Sequence, residues 1–375
     1  MVEPKKENMK KIVIDARSLR TSTGRYVERL LYYLQEVDTD LSHRYVVLLK
    51  LKDMDSWEPT SKRFTKVACP YKEFTFAEQI GLFGQLIKIG PNLTHFAMVQ
   101  QPILYQGKVV TTMHDLTTLR FDNPSKNRLK FGIKQSVYRW VNYIAAHKSK
   151  AIIVPSEYVK DDVARAMRLN SRKITVTYEA GQTIEAEPEP IEELVDKQFI
   201  MYVGRPNPHK NLERLIEAYS LLKADKPELH LVLAGKRDSL YKHHAHEVEE
   251  KGIADVHFTG HISDGQLRWL YEQTAAYVFP SLSEGFGLPG LEAMAHGAPV
   301  ISSNATCLPE IYGEAAYYFD PLDTEALVKA IKTVITRQDL REKLVEAGRQ
   351  QVKKYSWKRM AEQTLDIYRQ ILGET

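Results

Sequence analysis

Short runs of β-branched and aromatic residues alternate with helix-period segments along the whole chain. In the first half KIVID (11–15), YVVLLK (45–50), THFAM (94–98), KVVTTM (108–113), AIIV (151–154) and ITVTY (174–178) read as buried strands. In the second half FIMYVG (199–204), HLVLAG (230–235), VHFTG (256–260), AYVFP (276–280), APVIS (298–302) and AYYFD (316–320) repeat the pattern. Between them lie segments of helical spacing, including Arg25–Gln35, Lys126–Ala146, Leu212–Leu222, Asp264–Gln273 and Pro289–His296. A parallel neighbour needs a crossover connection, and a strand covered on both faces needs a near-continuous apolar run. The pattern therefore predicts an α/β chain with parallel, doubly wound sheets.

The two halves are separated by GQTIEAEPEPIEEL (181–194), which is acidic, holds two prolines and lacks a strand pattern. It reads as a linker. The expected organisation is a first domain over 9–182, a second over 183–356 and a C-terminal helix within 357–375. That helix is predicted at Trp357–Leu372 from the spacing of Met360, Leu365, Ile367, Tyr368 and Leu372. Residues 1–8 read as a loose polar tail. Charge follows the same division. Residues 1–182 carry 30 Lys and Arg against 18 Asp and Glu, and the remainder carries 22 against 30. A basic half suits an anionic surface or a phosphorylated ligand, or is simply solvated.

Other classes are disfavoured. No run of eighteen apolar residues exists. The polar MVEPKKENMKK start lacks the apolar stretch of a secretory signal, so a cytoplasmic chain is expected. Cys69 and Cys307 form neither a disulfide framework nor a zinc-ligand spacing. No Walker A sequence is present. Asp38-Thr39-Asp40 and Asp53-Met54-Asp55 are short acidic pairs, and HHAHE (243–247) sits on a polar helix. None of these is expected to bind a metal.

SLSEGFGLPGLEAMAHGAPVISSNATCLPE (281–310) carries the densest chemistry. Gly285 and Gly287 bracket Phe286, which lets the backbone turn and approach a ligand. Pro289 suits the first position of a helix, whose N-terminus favours a phosphate. Glu284 precedes the turn and Glu292 lies inside the helix. Carboxylates repel a phosphate but accept hydrogen bonds from sugar hydroxyls. A sugar nucleotide has both kinds of group. In the same half, GRPNPHKN (204–211) follows a strand and offers Arg205 and Lys210. Fixed cations stabilise charge that grows on a leaving diphosphate.

Together these strings resemble the E-x7-E signature and the G-R-x4-K-N donor-phosphate arrangement of GT4-type retaining glycosyltransferases. The resemblance covers essentially the whole chain and implies the GT-B fold, two Rossmann-like domains facing an interdomain cleft. It implies that Glu284 contacts the transferred sugar and Glu292 the ribose. The backbone of Phe286, Gly287 and Leu288 would meet the sugar and diphosphate. The backbone around Ile262, in GHISDGQL (260–267), would meet the nucleobase. In the first half, Gly24 and Arg25 of TGRY (23–26) match the loop over the donor phosphates, although members with two or more glycines there are common. His114 and Asp115 match an HD pair: His114 would hydrogen-bond the sugar, and Asp115 would orient the imidazole or meet the acceptor. Ser156 reads as a helix cap.

The implied catalytic set is Glu284, His114, Arg205 and Lys210. The implied reaction is metal-independent, retaining hexose transfer with no cofactor. The IDARSL…TGRY and HDL strings look most like mannosyltransferases. GDP-mannose is therefore the first donor, with UDP-glucose and UDP-N-acetylglucosamine as alternatives. An epimerase or phosphorylase on the same fold, or a silent nucleotide-sugar-binding protein, is the competing reading. The acceptor would be a saccharide or lipid-linked saccharide, and nucleic acid is not an expected partner. Lys126–Lys150 is basic with Ile133, Val137, Trp140, Val141 and Ile144 at helical spacing, so it could lie on an anionic membrane.

Overall fold

The computed structural model describes residues 9–21, 23–121 and 128–374, without the side chains of 128–131, 133 and 134. The tail expected at 1–8 lies outside it, as do Lys126 and the Ile133 side chain of the amphipathic segment. The chain forms two compact units. Among the described residues, one holds those up to Arg120, 128–179 and 356–374, and the other holds 180–355 with Phe121. The division falls between Glu179 and Ala180 rather than after Gln182. Residues 180–191 pack with the second unit: Glu189 N donates to Gly265 O at 3.1 Å.

The first unit is built on β1 (Lys10–Asp15), β2 (His43–Leu49), β3 (Phe64–Ala68), β4 (Leu93–Phe96), β5 (Val109–Thr112), β6 (Ala151–Val154) and β7 (Ile174–Val176). Their order is β3-β2-β1-β4-β5-β6-β7, and every pair is parallel. β4 and β5 are buried along their whole length, as central strands must be. β3, FTKVA, has no counterpart among the expected strands. It lies at the sheet edge with one buried residue, so it needs no apolar run.

The second unit is built on β8 (Gln198–Val203), β9 (Leu229–Ala234), β10 (Val256–Gly260), β11 (Ala276–Phe279), β12 (Val300–Ser303) and β13 (Ala316–Phe319). Their order is β10-β9-β8-β11-β12-β13, again parallel throughout. In each sheet the winding reverses at one place, between β1 and β4 and between β8 and β11. The connections leave in opposite directions there, which opens a crevice at the carboxyl ends of the two strands. In the second sheet the loops that flank this crevice are 204–211 and 280–287. Helices at Leu212–Asp225, Asp264–Gln273 and Leu288–Ala295 cover the sheet close to where the sequence places them.

The helix Trp357–Leu372 belongs to the first unit. Met360, Ala361 and Tyr368 are fully buried on one side of it. The Tyr368 hydroxyl bonds His95 Nδ1, and Lys108 Nζ reaches Ile371 O at 2.7 Å. Burial pushes His95 down to about 3, so its ring is neutral. Asp38, half of one acidic pair considered above, is consumed structurally. It faces His43 Nδ1 at 3.0 Å and accepts from the Tyr45 hydroxyl at 2.6 Å.

His43 is held between two carboxylates, since its Nε2 lies 2.7 Å from Glu374 Oε2. Burial opposes its charge, but the hydrogen bonds and charge of Asp38 and Glu374 outweigh it and raise the pKa. A raised histidine contributes stability that is complete below its unfolded value of about 6.5 and is lost as pH rises through the folded value. The melting temperature of the protein should therefore exceed that of His43→Gln most at pH 6. The gap should narrow towards pH 9, and thermal melts across that range check it. A gap that widens with pH contradicts the assignment.

Candidate active site

The two loops at the second switch point are stitched together by backbone. Leu282 N donates to His209 O at 2.7 Å. Asn211, in the left-handed region at φ 58°, donates from Nδ2 to Pro280 O at 3.1 Å and to Pro321 O at 2.9 Å. The left-handed turn at Asn211 ends the short 3-10 turn Pro208–Lys210 and starts the helix Leu212–Asp225. Lys210 is thereby aimed across at the neighbouring loop. Its Nζ lies 2.6 Å from Glu284 Oε1, with side-chain exposures of 19% and 11%, and 5.5 Å from the Phe279 ring centre. A cation and a carboxylate, 74 positions apart, thus share one mostly buried ion pair.

Glu284 is fixed from a third loop. Its N–H donates to Thr306 Oγ1 at 3.1 Å, and its carbonyl accepts from Cys307 Sγ at 3.3 Å. Thr306 adopts φ 54°, which a β-branched residue rarely does. The same loop anchors Ser281 O through Ser303 Oγ at 2.6 Å.

Tyr312 shapes the glycine turn. Its hydroxyl donates to Gly287 O at 2.6 Å. Gly287 has φ 99°, and a Cβ there would stand 2.5 Å from that hydroxyl. A Cβ at Gly290 would stand 2.3 Å from it. The helix Leu288–Ala295 begins immediately afterwards, with Phe286 buried just before it, Leu288 half-buried at its start and Glu292 buried within it.

Arg205 is placed differently from Lys210. It is exposed, and its Nε bonds Asp238 Oδ2 at 2.8 Å. Asp238 also caps the helix Ser239–Glu250 by accepting from Leu240 N and Tyr241 N. Tyr241 in turn donates to Gly204 O at 2.8 Å and pins the loop base. The two cations expected as a pair therefore have separate carboxylate partners. Ile262 lies half-buried in the loop after β10, where Gly260 has φ 78° and Ser263 and Gln266 form a capping box.

In the first unit, Gly24 is buried as the first residue of the helix Gly24–Val37. A Cβ would lie 2.0 Å from Leu19 O, so the glycine is required by its own loop. Arg25 is exposed at the same helix start. His114 follows β5 and its Nε2 lies 3.0 Å from Ala97 O, just beyond β4. Its Nδ1 faces Glu179, not Asp115, at 3.4 Å. Asp115 is exposed and accepts from Thr117 N at 2.7 Å. The orienting role expected of Asp115 thus passes to Glu179. Adjacent residues of an extended chain point to opposite sides, so Asp115 cannot follow the ring. Glu179 ends ITVTYE and could have been found by inspecting strand ends. Ser156 caps the helix Glu157–Met167 as expected. Among the described residues, no group of three or more His, Cys, Asp or Glu is arranged to hold a metal.

Two parallel-sheet units with a cation and a carboxylate at the second switch point are the architecture of a GT-B-fold glycosyltransferase. The sucrose-phosphate synthase of Thermosynechococcus elongatus superposes with a TM-score of 0.76 at 20% identity, over 98% of this chain and 100% of that one. The family model described as Glycosyl transferases group 1 matches residues 183–351, and that described as Glycosyltransferase Family 4 matches residues 63–180. The chain belongs to the family 4 glycosyltransferases. Its relatives include the O-antigen chain mannosyltransferase B of Escherichia coli, 29% identical over 280 residues that cover 70% of each chain. Another is the serotype-specific mannosyltransferase WbdA of Escherichia coli, 31% identical over 278 residues that cover 71% of this chain. This chain spans 34% of WbdA.

The Gly287–Tyr312 contact carries a stability prediction. Gly287→Ala should destabilise the protein by about 1–3 kcal/mol, because the methyl meets a buried ring and the left-handed backbone is strained. Urea unfolding of both proteins measures this. A midpoint unchanged by the substitution would show that the turn can relax.

Proposed function

We propose that this chain transfers mannose from GDP-mannose to a saccharide or lipid-linked saccharide, with retention and without a metal or cofactor. The ion pair of Lys210 and Glu284 carries the reading. Lys210 supplies charge for the leaving diphosphate, and Glu284 accepts hydrogen bonds from the sugar hydroxyls. Donor binding exchanges partners: the phosphate takes Lys210 from Glu284, and the sugar takes the carboxylate released. Arg205 adds a second cation after leaving Asp238, which its exposure permits. The backbone of Phe286, Gly287 and Leu288 meets the diphosphate at the helix start. Glu292 holds the ribose and the loop around Ile262 meets the base. In the first unit, Gly24 and Arg25 serve the donor phosphates, while His114 and Asp115 serve the sugar and acceptor. In the reaction, the acceptor oxygen bonds the anomeric carbon. The bond from that carbon to the diphosphate oxygen breaks, its electron pair leaves with the nucleoside diphosphate, and the leaving diphosphate oxygen takes up the proton that the acceptor hydroxyl loses.

The donor assignment is supported by the mannosyltransferase names of the relatives. A panel of sugar nucleotides tests it through melting temperature and released nucleotide diphosphate. GDP-mannose should give the largest shift and turnover, and a larger effect from UDP-glucose or UDP-N-acetylglucosamine would transfer the reading to that donor. Lys210→Ala and Glu284→Ala should each lower kcat/KM by about 10²–10³-fold, as loss of one preorganised charge-stabilising group does. Near-normal transfer by either variant sinks the mechanism. Activity should persist in EDTA.

The membrane reading also rests on a specific observation. Phe74, Phe76 and Trp140 of the first unit are 66%, 87% and 70% exposed. No helix among the described residues is long and apolar enough to cross a membrane. Exposed aromatic groups on a basic half fit the surface of an anionic bilayer. Co-sedimentation with phosphatidylglycerol vesicles should exceed that with phosphatidylcholine vesicles, and Phe76→Ser with Trp140→Ser should weaken it several-fold. Equal recovery with both vesicle types would refute surface binding.

A further inference from the structure

The surroundings of His114 dictate its protonation. Nε2 lies 3.0 Å from the carbonyl oxygen of Ala97, which can only accept, so Nε2 carries a proton. Nδ1 lies 3.4 Å from Glu179 Oε1, with 14% of the histidine side chain and 7% of the glutamate side chain exposed. A neutral ring with its proton on Nε2 would turn the Nδ1 lone pair towards a carboxylate oxygen. Two acceptors would then face each other in a buried place, an arrangement that is costly unless one gains a proton.

The other neighbours do not supply that proton. The Tyr26 ring meets the imidazole edge-on at 4.8 Å, and its hydroxyl is engaged with Thr112 Oγ1 at 2.9 Å. Asp115 is engaged with Thr117 N and acts on the ring only through its charge. His95 is neutral, pushed down by burial and by the His114 charge. Burial of His114 itself disfavours a charge, but the hydrogen bond and charge of Glu179 outweigh that and raise the pKa.

We propose that Glu179 is a positioning residue that holds His114 as an imidazolium with both N–H groups committed inside the protein. His114 then offers a ligand at the carboxyl end of β5 a fixed positive charge, in place of the hydrogen bond to the sugar that the resemblance implies. The role in transfer rests on the glycosyltransferase reading above, whereas the couple itself does not.

Ring nitrogen NMR on the full chain decides the couple, with the His114 signals assigned by their loss in His114→Gln. Both nitrogens should lie in the protonated range at pH 7, with a midpoint above the usual value of about 6.5. Glu179→Gln should lower the midpoint by at least one pH unit, and Glu179→Asp should restore part of it. A midpoint at or below the usual value, or one unmoved by Glu179→Gln, overturns the couple. Kinetics test the role. The imidazolium is present below the raised midpoint and lost as pH rises through it, so kcat/KM should fall across that interval. Glu179→Gln should move the fall to lower pH by the same interval seen by NMR. Superimposable pH profiles overturn the role. Absence of turnover with every sugar nucleotide counts against the transferase reading, and the ring titration still decides the couple alone.

Discussion

Parallel pairing of every strand is the constraint from which the site follows. A parallel sheet cannot be closed by tight hairpins, so each strand must return through a crossover, and all carboxyl ends gather on one edge. Where the winding reverses, two of these ends stand side by side with their connections leading apart. Between β8 and β11 this brings loop 204–211 against loop 280–287. The backbone bond from Leu282 to His209 and the bond from Asn211 to Pro280 O then lock the loops in register, while Asn211 also ties to Pro321 O after β13. The position of the Lys210–Glu284 pair is thus a product of sheet topology, refined by two hydrogen bonds between the loops.

Locking these loops has local costs that the surrounding packing must hold. Asn211 and Thr306 both take positive φ, and each of those residues makes a bond that positions the site. Thr306 accepts from the Glu284 backbone, and Asn211 ties β8 to β11. Tyr312 fills the space that side chains at Gly287 and Gly290 would need, so the turn and the helix start are shaped by one buried ring. Strain held by neighbouring contacts is characteristic of a site whose geometry matters more than its stability.

The strands were legible because burial on both faces demands apolar runs, and twelve of the thirteen have one. β3 escaped because an edge strand with Lys66 in its middle faces solvent and need not be apolar. Motif loops were legible where the turn itself needs special residues, as at Gly285–Pro289. Partnership was not legible. Arg205 and Lys210 share a loop, yet a 3-10 turn and a left-handed residue send them to Asp238 and Glu284. Asp115 stands next to His114 in the chain but not in space. Glu179 partners His114 from the segment that follows β7, and no periodicity connects them. That Gly24 is also needed by its own loop was not legible, because Leu19 O, which fills the place of a side chain there, is brought up by the fold.

In the proposed donor site, carboxylates beside a diphosphate present a physical problem, because like charges repel. The structure resolves it by pairing. Glu284 does not stand alone beside the helix start; it arrives with Lys210, so the two are together neutral. A lone mostly buried carboxylate there would be costly to keep ionised, and a lone lysine equally so. Held as a pair, each offsets the desolvation of the other, and under the proposed function a ligand bearing both hydroxyls and phosphates separates them. A ligand with phosphates alone would take Lys210 and strand Glu284, and a neutral sugar alone would not release it. Under the proposed function the pair discriminates for molecules that carry both groups, which is the chemistry of a sugar nucleotide.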